Sequence, residues 1–296
     1  MSSNTKVTMF LMTFKGLQVV NSVLQNSNLN LIDKVIIGRD KNVVNDYSKE
    51  IELVCCQNNI EYCYNNEDYL VKSKYCIAVS WRWLINVSES KLIVLHDSIL
   101  PKYRGFSPLV NMLINGEKQL GVTALFASDE YDKGPVILQK KISINYPIKI
   151  ESAIQKISNL YSEIIEEIFV ILKKNGQIIS VAQDEDNASY SLWRDADDYF
   201  INWNYSSKKI KRLVDALGFP YNGAKCLLDD KVVIIKEVEC FKDLEIENRN
   251  VGKIIFFDNQ NPIIVCGTGL LKIREAVYED NGLSIFPLNK FRAKFI

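Results

Sequence analysis

The stretch LIVLHDSILPKYRG, residues 92–105, decides the fold class because a short apolar run ends there in a polar loop. The four residues before His96 are continuously apolar, which is typical of a strand buried on both faces of a parallel sheet. Pro101 and Gly105 punctuate the loop, and a helix is predicted after it, over 107–115. In an open parallel sheet, ligands bind at the carboxyl edge of the strands. His96 is therefore predicted to lie at a ligand-binding edge.

The same alternation of apolar runs and helical patterns extends outward on both sides of this stretch. A turn is predicted at Lys15-Gly16, and Ile51 and Leu53 are predicted to form the apolar side of one helix. Strands joined by crossover helices indicate an α/β fold with a Rossmann-like parallel or mixed sheet. The predicted strands are 7–14, 35–37, 77–79, 92–95, 122–126 and 136–142, and the predicted helices follow Gly16 and cover 46–59, 107–115 and 152–174.

The pattern changes after the polar run QDEDN at residues 183–187. One helix is predicted over 207–217, and short strands separated by Asp, Asn and Gly follow it at 232–235, 252–257, 263–266 and 270–273. We therefore predict two domains, a larger one over 1–186 and a small OB-like β-barrel over 187–296.

Composition narrows the function class. Lys+Arg and Asp+Glu number 36 each, so no overall positive field attracts a polyanion, and a nucleic-acid partner is not expected. The seven cysteines show no repeated metal-binding spacing, so reduced thiols, a cytoplasmic location and no metal are expected. No apolar run is long enough for a signal sequence or a membrane span, so no membrane partner is expected either.

His96 is the only histidine in the chain. An imidazole both takes and gives a proton near neutral pH, so His96 is a candidate acid–base group. The alternative, considered from the residue alone, is a structural or merely exposed histidine.

Residues 95–105 resemble the signature of the folate-dependent formyltransferases, in which a His and a Ser-Leu-Leu-Pro-like turn precede an aromatic-Arg-Gly. Further segments are similar to the same family in the same order along the chain, and the resemblance covers nearly the whole sequence. These segments are SWRWLI at 80–85, NGE at 115–117, GVT at 121–123, DKGPVI at 132–137, WRD at 193–195 and GFPYNGA at 218–224. The resemblance implies a formyltransferase domain followed by the family's C-terminal barrel.

The resemblance also implies roles for His96 and Asp132. Asp132 would hold the imidazole and help relay protons, and His96 would lie against the formyl group of N10-formyltetrahydrofolate. The family usually has an Asn two residues before the His, whereas Val94 stands here. Because valine donates no hydrogen bond, Asn111 or a backbone amide is a candidate replacement, and loss of activity is the alternative.

Two further groups of residues are predicted to bind ligands, although solvated loops and core aromatics are the competing interpretations. The predicted folate-binding residues are Arg82, Trp83, Leu84, Ser128, Asp129 and Asp132. The predicted substrate-binding residues, whose cations would meet a diphosphate, are Arg39, Lys41, Lys102, Tyr103 and Arg104.

The stretch Gly38-Arg39-Asp40-Lys41 and the segment YFINW at 199–203 resemble the sugar-nucleotide branch of this family, which otherwise includes methionyl-tRNA formyltransferase. We therefore expect formyl transfer to the amine of a nucleotide-linked amino-dideoxy sugar, for example dTDP-4-amino-4,6-dideoxyglucose, for lipopolysaccharide O-antigen. A methionyl-tRNA formyltransferase, a non-catalytic folate- or nucleotide-binding relative and a formyl-folate hydrolase are the alternatives. A homodimer is expected because it is the commonest soluble assembly.

Overall fold

The computed structural model describes residues 6–26, 28–41, 43–87, 90–174, 177–288 and 290–296. The chain divides into two compact units. The first consists of Met1–Leu109, Gln119–Ile144 and Ala153–Leu192, and the second of Val110–Lys118, Asn145–Ser152 and Trp193–Ile296. The domain boundary between residues 186 and 187 stays a prediction.

Up to Leu192, the described part of the chain contains α-helices and strands. In order, they are β1 (Val7–Leu11), α1 (Thr13–Gln25), β2 (Ile32–Ile37), α2 (Ser48–Gln57), β3 (Tyr62–Tyr64), β4 (Tyr75–Val79), β5 (Lys91–His96), β6 (Arg104–Gly105), α3 (Pro108–Asn115), β7 (Gln119–Phe126), β8 (Val136–Ser143), α4 (Ile150–Lys173) and β9 (Tyr190–Ser191).

Seven of these strands form one mixed sheet in the order β3-β2-β1-β4-β5-β7-β8. The first five run parallel, and β7 and β8 are each antiparallel to the strand before them in that order. All five residues of β1 and of β4 are buried, as expected for central strands covered on both faces. The predicted α/β fold with a Rossmann-like mixed sheet is confirmed.

The carboxyl ends of β1, β2, β4 and β5 meet at one edge of this sheet because these strands are parallel. Lys15, Arg39 and Trp81 lie in the segments that follow the first three strands, and His96 ends the fourth. This edge therefore collects the side chains that carry chemistry.

Two local predictions are wrong. Lys15-Gly16 is not a turn, because α1 begins at Thr13. A Cβ on Gly16 would lie 3.1 Å from the Cβ of Leu11, so this glycine allows the helix to pack closely on β1. Leu53 is 55% exposed whereas Ile51 is buried, since residues two apart on a helix are separated by about 200°.

After Leu192, the second unit contains an amphipathic helix, α5 (Ser207–Leu217), and a five-stranded antiparallel sheet. Its strands are β10 (Ala224–Leu228), β11 (Lys231–Phe241), β12 (Ile254–Asp258), β13 (Asn261–Val265) and β14 (Leu270–Tyr278), and their order in the sheet is β10-β11-β14-β13-β12. The helix α5 has its predicted bounds, and its first turn is capped by Ser206, whose side chain accepts from the Lys209 amide.

The C-terminal residues join the two edges of this sheet. Leu227 on β10 and Ile296 exchange backbone hydrogen bonds of 2.7 and 2.9 Å, and the Phe295 amide donates to the Gly252 carbonyl at 2.8 Å. The Phe295 side chain is buried. Both edges are thereby paired, as in a small closed barrel, and the predicted C-terminal β-domain is confirmed.

Candidate active site

His96 ends β5 with its side chain almost fully buried. Its Nε2 lies 2.8 Å from the Tyr103 carbonyl oxygen. Because a carbonyl oxygen only accepts, Nε2 carries a hydrogen and donates it. Nδ1 lies 3.4 Å from Oδ1 of Asp132. The structure therefore brings the two predicted catalytic side chains together, with Nδ1 as the ring nitrogen that faces the carboxylate.

Asp132 is positioned through both its side chain and its main chain. Its Oδ2 accepts a hydrogen bond of 2.8 Å from the Gly105 amide. The side-chain amide of Gln183 donates to the carbonyls of Asp132 and Gly134 at 2.6 and 2.7 Å. A Cβ on Gly134 would lie 1.7 Å from the Phe126 carbonyl oxygen, so only glycine fits two residues after the aspartate. The Asp-x-Gly pattern thus has a steric origin.

Arg104 lies inside the protein, with none of its surface exposed. Its guanidinium donates to both carboxylate oxygens of Glu185, at 2.6 and 2.8 Å, and to the side-chain oxygen of Gln183 at 2.8 and 3.1 Å. Hydrogen bonding to Glu185 raises the pKa of Arg104 and lowers the pKa of Glu185. Arg104 thereby fixes Gln183, which holds the Asp132 segment. Its predicted role in substrate binding stays a prediction.

Three residues that sequence reasoning missed brace the backbone around His96. Lys15 forms an ion pair with Asp97, the residue after His96. The hydroxyl of Tyr161 on α4 donates to the second oxygen of Asp97 at 2.5 Å and lies 3.2 Å from the carbonyl of Leu95. Burial raises the pKa of Tyr161 well above its usual value, so its hydroxyl remains a donor. The residues on both sides of His96 are therefore fixed.

The loop after β4 carries three of the predicted folate-binding residues, Arg82, Trp83 and Leu84. Arg82 is paired with the buried carboxylate of Asp40 at 2.6 Å, which ties this loop to the loop after β2. Trp83 approaches so closely that a Cβ on Gly38 would lie 2.7 Å from its ring. Trp83 is partly exposed, and Leu84 is 88% exposed. These two side chains present the apolar surface that a flat ring requires.

Two buried polar atoms in the same loop have no hydrogen-bond partner among the described residues. They are Oγ of Ser80 and Nε1 of Trp81. The Trp81 ring packs edge-on against Phe10 and Trp83, with ring centroids 5.1 Å apart in both pairs. Buried donors are nearly always satisfied in proteins, so these two atoms are suited to a ligand.

Val94 packs against an apolar cluster that includes Phe10 and Ala78. Its side chain therefore replaces the family's amide with a purely apolar surface. The predicted substitute, Asn111, accepts a hydrogen bond of 2.6 Å from Arg194 through its side-chain oxygen. Its role as a donor in catalysis stays a prediction.

The remaining predicted binding residues lie at the surface, and their roles stay predictions. Arg39 stacks on the ring of Tyr64, with 4.2 Å between the guanidinium carbon and the ring centroid. The hydroxyl of Ser128 donates to the Glu130 carbonyl at 2.8 Å. Lys41, Lys102 and Asp129 are exposed as well. Tyr103 contributes its carbonyl to His96.

Within the ranges that the structure describes, no group of three or more His, Cys, Asp or Glu side chains is placed to hold a metal ion. Within the same ranges, no helix has the length and apolar character needed to cross a membrane.

Both halves of the chain match known protein families. Residues 58–168 match the formyl transferase family, and residues 194–282 match the C-terminal domain of formyl transferase. The methionyl-tRNA formyltransferase of Thermodesulfovibrio yellowstonii is 33% identical over 271 residues, which cover 86% of this chain and 83% of the relative.

Two solved structures are similar in fold. One is WlaRD, a sugar 3N-formyl transferase crystallised with dTDP and 5-N-formyl-THF. It is 19% identical, with a TM-score of 0.69, and the match covers 95% of this chain and all of that one. The other is an N-formyltransferase from Helicobacter canadensis in complex with folinic acid and dTDP-3-aminofucose. It is 17% identical, with a TM-score of 0.70 and coverages of 90% and 98%. At these identities the likeness concerns the fold.

Proposed function

Because the chain belongs to the formyl transferase family and is a folate-dependent formyltransferase, we propose that it formylates the amine of a nucleotide-linked amino-dideoxy sugar, with N10-formyltetrahydrofolate as donor. The observation that carries the chemistry is the contact between His96 Nδ1 and Asp132 at the carboxyl edge of the sheet.

The arrangement of His96 suits proton transfer through one particular atom. Nε2 is committed to the Tyr103 carbonyl, so Nδ1 is the ring nitrogen with a lone pair to use as a base. As the amine bonds to the formyl carbon, Nδ1 takes a proton from the amine nitrogen. The imidazolium that forms is stabilised by Asp132 at 3.4 Å. When the bond between the formyl carbon and N10 breaks, His96 returns the proton to N10, which leaves tetrahydrofolate and the formamide.

The loop after β4 supports the choice of donor. A pterin is flat and rich in hydrogen-bonding groups, so it needs an apolar surface and buried polar partners. Trp83 and Leu84 provide exposed apolar surface, and Ser80 provides a buried polar atom without a partner among the described residues. Both requirements are met within five consecutive residues.

Charge and edge position support a sugar-nucleotide acceptor. The equal counts of acidic and basic residues supply no broad positive field for tRNA. Arg39 and Lys41 follow β2 at the edge that carries His96, where cations suit a diphosphate. The two solved structures with similar folds were crystallised with dTDP or a dTDP-linked amino sugar.

Methionyl-tRNA is the second candidate acceptor. The observation that favours it is the 33% identity to the methionyl-tRNA formyltransferase of Thermodesulfovibrio yellowstonii, which extends over 86% of this chain.

The decisive experiment incubates the purified protein and N10-formyltetrahydrofolate with a panel of dTDP- and UDP-linked amino-dideoxy sugars, and separately with charged initiator tRNA. We expect a formylated sugar nucleotide from the natural protein and none from His96→Ala or Asp132→Ala. Formylation of the tRNA without any sugar product would refute the proposed acceptor while leaving the reaction class intact.

A further inference from the structure

The strand face beside His96 offers no amide for the formyl oxygen. Side chains alternate along β5, so Val94 and His96 lie on the same face of the sheet. On the neighbouring strand β4, Ala78 pairs with Val94 and Val79 with Leu95. Val94 packs on an apolar cluster there. A negative charge that develops on the formyl oxygen near His96 therefore needs a donor from another element.

Trp81 lies in the loop that follows the neighbouring strand β4. It follows β4 by two residues, and the β4–β5 register places the end of β4 level with the end of β5. Its ring packs against the same apolar cluster as Val94, through contact with Phe10. The indole is thus on the His96 face of the sheet, one strand away from the imidazole.

The indole nitrogen of Trp81 is a donor that the described part of the chain leaves unused. Nε1 is buried and has no partner there. A buried donor that is left unsatisfied destabilises the protein. Tryptophan donates only, so this group can be satisfied by an oxygen but never by another donor.

We propose that Trp81 Nε1–H donates to the formyl oxygen and supplies the hydrogen bond that Val94 cannot. Trp81 is then a catalytic residue that touches the reacting carbonyl. The inference rests on formyl transfer and does not depend on the identity of the acceptor. The bond strengthens as charge develops on the oxygen, so it acts mainly on the rate.

Ser80 is the competing donor because its Oγ is also buried without a partner among the described residues. A hydroxyl both donates and accepts, so a pterin edge satisfies it equally well. Trp81 shares the apolar cluster with Val94, which makes it the better match to the missing amide.

The kinetic test compares Trp81→Phe with Trp203→Phe. Trp203 is a matched control, because its Nε1 is likewise buried without a described partner and its ring packs against an aromatic residue, Phe295, in the second unit. We expect Trp81→Phe to lower kcat by ~10²–10³, the usual effect of losing one oxyanion donor, with little change in the KM of the formyl donor. Trp203→Phe should leave kcat unchanged. Equal rates for Trp81→Phe and the control would overturn the proposal, and so would a loss reproduced in full by Ser80→Ala alone.

A second measurement uses only the natural protein and requires no catalytic turnover. The indole N–H resonances of the natural protein are recorded with and without N10-formyl-5,8-dideazafolate, in the absence of any amine. The Trp81 resonance should move downfield on binding while that of Trp203 stays in place. An unmoved Trp81 resonance in the saturated complex would refute the hydrogen bond, even if the acceptor proves to be tRNA.

Discussion

Replacing Asp132 by Asn tests the electrostatic part of the mechanism. The carboxylate lies 3.4 Å from Nδ1 of His96. Two unit charges at that distance attract by about 5 kcal/mol at an effective dielectric constant of about 20. Solvent screens part of this attraction, so we expect the substitution to remove about 4 kcal/mol of the stabilisation of the imidazolium, which corresponds to a ~10³-fold lower kcat. The amide keeps an oxygen for the Gly105 N–H, so its own position should not change.

The assay for Asp132→Asn is steady-state formyl transfer at saturating donor and acceptor, with thermal unfolding followed in parallel. Glu130→Gln is the matched control, because it neutralises an exposed carboxylate in the same segment. A loss of less than about tenfold in a folded Asp132→Asn protein would refute the assignment of Asp132 as the group that stabilises the charged ring.

Three further predictions concern residues that support the site and the fold. Tyr161→Phe removes the hydrogen bond to Asp97 and should lower kcat about tenfold with little change in KM. The control Tyr62→Phe removes a tyrosine–carboxylate hydrogen bond at the far edge of the sheet and should leave kcat unchanged. Equal kcat values for the two variants would contradict the bracing role of Tyr161. Glu185→Gln should lower the free energy of unfolding at neutral pH. Because Arg104 lowers the folded-state pKa of Glu185, the carboxylate stabilises the protein above the ordinary glutamate pKa, and this contribution disappears as the pH falls through the lowered value. Urea unfolding should therefore give the same free energy of unfolding for the two proteins in acid. A difference that persists in acid would contradict the ion pair. Deleting residues 294–296 removes the bonds that join both sheet edges and should lower the melting temperature of the second unit by several degrees, whereas an unchanged transition would contradict closure.

The fold was largely predictable where local pattern and tertiary environment agree. The run before His96 is continuously apolar because β5 lies inside the sheet. The helix α5 also has its predicted bounds. Leu53 shows the limit of this approach. Hydrophobicity alone placed it in the core, although Ile51 two residues earlier already occupies the buried side of α2.

The catalytic pair was predictable from motif resemblance, but its supports were not. Gln183 and Glu185 belong to a polar run that is typical of a linker, yet they bind Arg104 from about 80 residues away. Tyr161 lies in a helix whose pattern indicates only burial, and its hydroxyl reaches Asp97 across 64 residues. Such partners are fixed by tertiary contacts, and no local spacing encodes them.

Quaternary structure and location stay predictions. A homodimer is expected only from the general frequency of such assemblies, and sedimentation of the purified chain would test it directly. The cytoplasmic location is expected from the cysteine pattern of the sequence.

The most direct test of the central claim follows a labelled formyl group in one competition experiment. N10-formyltetrahydrofolate carrying a labelled formyl group is mixed with equal concentrations of dTDP-linked amino-dideoxy sugars and charged initiator tRNA, with either the natural protein or His96→Ala. We expect the natural protein to place the label on a sugar amine and His96→Ala to place it on neither acceptor. Label on the tRNA alone would contradict the proposed acceptor, and undiminished transfer by His96→Ala would contradict the catalytic site itself.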